Sequence, residues 1–202
     1  MNLLPNERVP KVVRDAPSNL AAADWSEVSP NLQKTLRSAI RAKRWPIVIH
    51  GPTGIGKSCA SACIYRRWAT PSATLKPAFW YRLEEFVRDI QKCRRNDDNL
   101  VMHHVNGRNV YRTESKLWQF ATDGNALWCV DDFGTREITP AAFDVVFEFI
   151  DRRVGKPTII TTNLNLQGIT ELYDDRIADR LRAGTVIELT GESRRNGKRY
   201  RV

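Results

Sequence analysis

"HGPTGIGKS", His50 to Ser58, directly follows the apolar run "PIVI" and brings glycines, a proline, a lysine and a hydroxyl together in one short loop. Gly51, Gly56, Lys57 and Ser58 satisfy the spacing G-x-x-x-x-G-K-[ST]. Small residues let the main chain fold back so that successive N–H groups surround a β-phosphate. Lys57 then reaches the β and γ oxygens, and Ser58 offers an oxygen to Mg²⁺. A helix starting at the same point aims its positive end at those phosphates. The candidate nucleotide-binding set is Gly51, Pro52, Thr53, Gly54, Ile55, Gly56, Lys57, Ser58 and Cys59, with ATP and Mg²⁺ as cofactors. The competing reading is a glycine-rich turn without a ligand, and the strand before and helix after the loop weigh against it.

Working outward, "SPNLQKTLRSAIRAKRW" opens with a serine cap and a proline at the first helical position, and sets Leu32, Leu36, Ala39 and Ile40 on one stripe. Its other face carries Lys34, Arg37, Arg41, Lys43 and Arg44, read either as a solvated face or as a contact for a phosphate backbone. Beyond the loop, "AFWY" predicts a strand, "RLEEFVRDIQKCRR" a helix and "ALWCV" a strand ending in "DDFG". "TPAAFDVVFEFIDRRVG" predicts a helix with Phe143, Val146, Phe147 and Ile150 at helical spacing. "PTIITTN" predicts a strand buried on both faces, "DDRIADRLRAG" a helix, and "TVIEL" a last strand. This alternation defines an α/β fold with a parallel sheet between helices. Residues 1–28, broken by Pro5, Pro10 and Pro17, read as an extended arm, and 29–202 as one domain.

The 202 residues carry 32 Lys and Arg against 23 Asp and Glu, a formal charge of +9, which favours polyanionic partners. Cys59, Cys63, Cys93 and Cys129 form no C-x-x-C pair, so neither a disulfide framework nor a zinc site is expected. Cys59 and Cys63 lie one turn apart and read as an apolar contact. No leader and no run of the roughly 20 apolar residues that span a bilayer is present, so a soluble cytoplasmic protein with no membrane partner is expected.

Hydrolysis needs acid beside the phosphates. Asp131, ending a buried strand, is placed to hold Mg²⁺ together with Ser58, and Asp132 to polarise the attacking water; the alternative is a turn or helix cap. Asn163 closes the next strand, where an amide can orient the same water or the γ-phosphate. Arg176 and Arg180 share one helix face and suit a trans arginine finger, or else form a surface salt-bridge helix with Asp175 and Asp179. With Lys57 these residues make up the candidate catalytic set.

Taken together, "GPTGIGKS", "LWCVDDFG", "IITTNLN" and "DDRIADRLRAGTVIELTGESRR" resemble the AAA+ ATPases of the DnaC/DnaI helicase-loader and IstB transposition-helper family. The resemblance implies a P-loop NTPase of AAA+ type that hydrolyses ATP as a homo-oligomer, binds single-stranded DNA and acts on a replicative helicase or a transposase. It matches Lys57 and Ser58 to Walker A, Asp131 and Asp132 to Walker B, Asn163 to sensor 1, Arg176 and Arg180 to the arginine-finger segment, and Arg195 to a nucleotide-contacting late arginine. The chain departs from the pattern in its short segment before the core and in Asp132 where many AAA+ proteins carry Glu; no C-terminal helical lid of the kind common in AAA+ proteins is expected after "TVIEL", which agrees with the family. Other readings are a small-molecule phosphotransferase, or a nucleotide-gated binding module with little turnover. Asn106-Gly107 predicts a projecting β-hairpin within 96–113, where His103, His104, Arg108, Tyr111 and Arg112 could line a DNA path or form an incidental basic loop. The tail 192–202 is basic and suits the DNA backbone.

Overall fold

The computed structural model describes residues 20, 23–69, 77–95, 100–105, 108–135 and 139–193. In chain order these form a 3-10 turn (Trp25–Glu27), α1 (Pro30–Arg41), β1 (Ile47–His50), α2 (Lys57–Ala69), β2 (Ala78–Arg82), α3 (Leu83–Arg95), β3 (Leu100–Val105) and β4 (Arg108–Thr113). There follow α4 (Glu114–Thr122), β5 (Leu127–Phe133), α5 (Pro140–Arg153), β6 (Thr158–Thr162), α6 (Leu166–Leu172), α7 (Asp175–Arg182) and β7 (Thr185–Glu188). Helix starts follow their caps. Ser29 accepts the Leu32 N–H at 3.4 Å and Thr139 accepts the Ala142 N–H at 3.3 Å, each with a proline in the first turn.

Five strands pair in parallel in the order β2-β5-β6-β1-β7, the α/β architecture that the alternation predicts. Period-2 alternation splits each strand between two cores. Val48, Phe79, Tyr81, Trp128, Val130 and Ile160 face α3, α4, α5 and α7, whereas Ile47, Ile49, Trp80, Cys129 and Ile159 face α1 and α2. Trp128 centres the first core, stacked on Phe79 at 4.9 Å and Tyr81 at 5.1 Å and edge-on to Phe149 at 5.1 Å. Truncating such a ring costs about 3–5 kcal/mol.

Arg153, only 1% exposed, closes the sheet edge remote from the loop. Its five donors reach Thr158 Oγ1 at 2.9 Å and the carbonyls of Ala121, Asp123, Ala126 and Pro157. Burial pushes the guanidinium down to about 9, with the Asp123 carboxylate pulling the other way, and the carbonyls satisfy its donors.

Several expectations need correction. Helices α4 and α6 lie outside the elements that the patterning predicts. On α5 the buried stripe is Ala142, Val145, Val146, Phe149 and Ile150, while Phe143 and Phe147 lie at its margin. The predicted hairpin exists as antiparallel β3 and β4, and its Asn106-Gly107 tip lies outside the described residues. Arg112, expected on an exposed face, alternates with Tyr111 and is 6% exposed, its guanidinium 5.1 Å over Phe120. Among the described residues no helix follows β7, and none is long and apolar enough to cross a membrane.

Candidate nucleotide site

The loop leaves the carboxyl end of β1 and enters α2 at Lys57. Gly51, Gly54 and Gly56 have φ of 145°, 84° and 106°, the left-handed side that glycine adopts without strain. Gly51 is constrained twice, since a Cβ there would lie 2.2 Å from the Leu189 carbonyl oxygen just beyond β7. Lys57 is 6% exposed, and its ammonium donates to the carbonyls of Gly51 at 2.7 Å and Pro52 at 2.8 Å and to Asn163 Oδ1 at 2.8 Å. A buried ammonium needs such acceptors, and these keep it poised at the mouth of the loop.

A bulge in β5 shapes the acidic half of the site. Val130 pairs with Ile160 and Phe133 with Thr162, so Asp131 and Asp132 together oppose Thr161. Thr161 serves both, its hydroxyl donating to Asp131 Oδ1 at 2.5 Å and accepting the Asp132 N–H at 3.2 Å. Asp131 also accepts from the Ser58 hydroxyl at 2.8 Å. Burial raises the Asp131 carboxyl above its ordinary range, and the hydroxyls of Thr161 and Ser58 pull against that shift. Asp132, at φ 56°, turns the other way, 3.7 Å from the Arg82 guanidinium at the end of β2. It borders a cavity of about 240 Å³ between α3 and α5 that Lys57 and Ser58 do not line.

Sequence spacing thus finds Lys57, Ser58, Asp131 and Asn163, which the structure joins at one sheet edge. It misses Thr161 and Arg82. Arg82 had a usable signal, since it ends a strand paired in register with Asp131.

Arg176 and Arg180 contact none of these groups among the described contacts. Arg176 lies 4.8 Å over Phe147 and binds Asp174 at 2.8 Å, and Arg180 lies 4.6 Å over the same ring and binds Asp151 at 2.5 Å. The pairing expected with Asp175 and Asp179 is replaced by these partners, and Asp179 binds Arg182. Cys63 is buried, as an apolar contact requires, while Cys59 is half-buried with Sγ 3.4 Å from Glu27 Oε2. Arg195 and nearly all of the basic tail lie outside the described residues.

A glycine loop between β1 and α2, an acid on the second strand over and the 2-5-6-1-7 parallel order define a P-loop NTPase fold of AAA+ type. Neither a protein-family model nor a curated protein sequence matches the chain. Among solved structures, DnaI is similar at a TM-score of 0.64 and 20% identity over 91% of this chain and 97% of that one. The DnaC helicase loader gives 0.63 and 12% over 86% and 100%. The replication initiator DnaA bound to AMPPCP and single-stranded DNA gives 0.61 and 13% over 82% of this chain but 48% of that one, so the chain spans about half of that DnaA. At these identities the likeness is one of fold.

Proposed function

We propose that the chain is an ATP-hydrolysing assembly factor acting with single-stranded DNA, most like a DnaC-type replicative helicase loader. The observation that carries the reading is the convergence of Lys57, Asn163, Ser58 and Asp131 through hydrogen bonds of 2.8 Å at the end of the parallel sheet. The hard oxygens of Ser58 and Asp131 suit Mg²⁺, which when bound neutralises charge across the β- and γ-phosphates. Lys57 then exchanges loop carbonyls for phosphate oxygens, Asn163 orients the attacking water, and Asp132 accepts its proton once free of Arg82. Arg176 and Arg180, held on α5, serve a neighbouring copy's nucleotide rather than their own.

For the DNA role, the hairpin offers Met102 and Tyr111, cross-strand neighbours 54% and 61% exposed, as a stacking surface in a stretch without acidic residues. The DnaC and DnaA structures that share the fold lend the reading its context. Sedimentation with and without ATP and Mg²⁺, in the presence of single-stranded DNA, tests it. Larger particles with ATP are expected, and an unchanged monomer without DNA binding contradicts it.

The Arg82–Asp132 pair favours a second reading, a nucleotide-gated module with little turnover. ATPase rates of wild type and Asp132→Ala that coincide would select it.

A further inference from the structure

From Val28 to Leu83 the sequence contains no Asp or Glu. The structure gathers the described basic residues of that stretch largely on one layer, since α1 and α2 cover the same face of the sheet. On α1, Leu32, Leu36 and Ala39 are buried and Lys34, Arg37 and Arg41 are exposed. At about 100° per residue those three cations fall within roughly 60° of each other, directly opposite the buried stripe. The turn that follows adds exposed Lys43 and Arg44, held by backbone bonds from Lys43 N–H to the Ile40 carbonyl at 3.2 Å and from Arg44 N–H to the Ala39 carbonyl at 3.1 Å. Trp45 meets Trp68 edge-on at 6.2 Å, which brings the end of this turn to the end of α2, where Arg67 is exposed.

None of Lys34, Arg37, Arg41, Lys43, Arg44 and Arg67 has a carboxylate within ion-pair distance among the described residues. The opposite layer behaves differently. There Arg94 binds Glu114 at 2.7 Å, Arg152 binds Glu148 at 2.6 Å, and Arg176, Arg180 and Arg182 each bind an aspartate. The opposite layer thus mixes both signs, with Arg88, Lys92 and Arg95 of α3 exposed beside its paired arginines, whereas α1, its following turn and α2 carry cations and no acid of their own.

We infer that the α1/α2 layer is a docking surface for the phosphate backbone of duplex DNA, separate from the nucleotide loop and from the hairpin. The choice of duplex over single strand rests on what accompanies the charge. Single-strand sites add aromatic platforms on which bases stack. On this layer Trp45 is buried, Trp68 is half-buried and held edge-on against Trp45, and Trp25 is covered by the Arg37 guanidinium at 5.8 Å, whereas the strongly exposed Tyr111 belongs to the hairpin. Cations without stacking partners contact phosphates and carry no base readout. Lys34 to Arg41 spans about 10 Å of helix, roughly three base-pair steps of duplex, so the stripe meets successive phosphates.

The test is fluorescence anisotropy of a short mixed-sequence duplex titrated with wild type and with the K34A/R41A/R44A variant over a range of salt. Arg37 is left intact because it covers Trp25. Each lost phosphate contact removes about 0.9 from the slope of log affinity against log salt. The triple variant is expected to lose about 2 to 3 in slope and at least tenfold in low-salt affinity, at unchanged melting temperature and unchanged ATP binding. Tyr111→Ala is expected to leave duplex affinity unchanged. Failure of wild type to bind duplex at low salt, an unaltered slope in the triple variant, or preference for phosphatidylserine vesicles over duplex overturns the inference. ATP turnover is measured in the same preparations, so a chain that binds duplex without hydrolysing ATP contradicts the proposed function and leaves this inference standing.

Discussion

Lys57 and Asn163 are joined across the sheet, the ammonium on the helix after β1 donating to the amide oxygen at the end of β6 over 2.8 Å. The bond ties the group that holds phosphate to the group that positions water, and it competes with nucleotide for the ammonium. Asn163→Ala leaves Lys57 with the Gly51 and Pro52 carbonyls. ATP affinity is expected to hold or tighten, while turnover falls about 10- to 100-fold for want of an oriented water. Titration with labelled nucleotide, read beside steady-state phosphate release, separates the two effects. Equal loss in both would show Asn163 to be a simple binding contact.

Burial raises the Asp131 carboxyl, and ionising it in the folded protein carries a stability cost with a defined pH dependence. Its folded-state carboxyl lies above the unfolded one, so the native state binds the proton more readily and wild-type stability falls as pH rises through that interval. Asp131→Asn keeps an oxygen to accept from Thr161 and Ser58 and removes the charge. Thermal melts are expected to show the variant more stable than wild type at neutral pH, with the gain vanishing below the ordinary carboxylate range. ATP hydrolysis should be lost. A gain that grows toward low pH would contradict this account.

Arg82 and Asp132 form a pair 56% and 40% exposed at 3.7 Å, so the pair contributes about 0–1 kcal/mol to stability. Its consequence is for catalysis. Arg82→Ala is expected to raise basal ATP turnover severalfold with no shift in melting temperature, because the carboxylate is released from the β2 side. Reduced turnover at intact nucleotide affinity would assign the guanidinium a direct role at the phosphates instead.

Arg153→Ala removes donors from four buried carbonyls and one hydroxyl at the edge of the sheet away from the loop. A loss of about 3 kcal/mol or more is expected in denaturant unfolding, since each buried acceptor left without a donor costs about 1–3 kcal/mol. Nucleotide affinity of the folded fraction should be unchanged.

The loop was legible because its residues are contiguous and each glycine answers a backbone demand that only glycine meets cheaply. Asp131 and Asn163 were legible because parallel strands deliver their last residues to one edge. Thr161 was not, since its double role arises from a bulge that sets two residues of β5 against one of β6, and spacing within either strand cannot reveal it. Arg112 lies inward rather than on a DNA path, as period-2 alternation with exposed Tyr111 requires. Helix α4 follows the hairpin and lies outside the predicted elements, although Thr113 caps it and Leu117, Trp118 and Ala121 form its buried stripe. Helical spacing places Phe143 and Phe147 on the stripe of α5, and they pack at the margin of the core where they also receive the arginines of α7, contacts that spacing within one helix does not reveal.

In the proposed function a nucleotide is completed between copies of the chain, and the decisive measurement is phosphate release from ATP on mixing the Lys57→Ala chain, which cannot hold the triphosphate, with the R176A/R180A chain, which keeps the loop but lacks the guanidinium for its neighbour. Each alone should be inactive, and the mixture should recover a substantial fraction of the wild-type rate through interfaces that pair an intact loop with an intact α7. A mixture as inactive as its components, with the R176A/R180A chain still binding ATP and assembling, would contradict the claim.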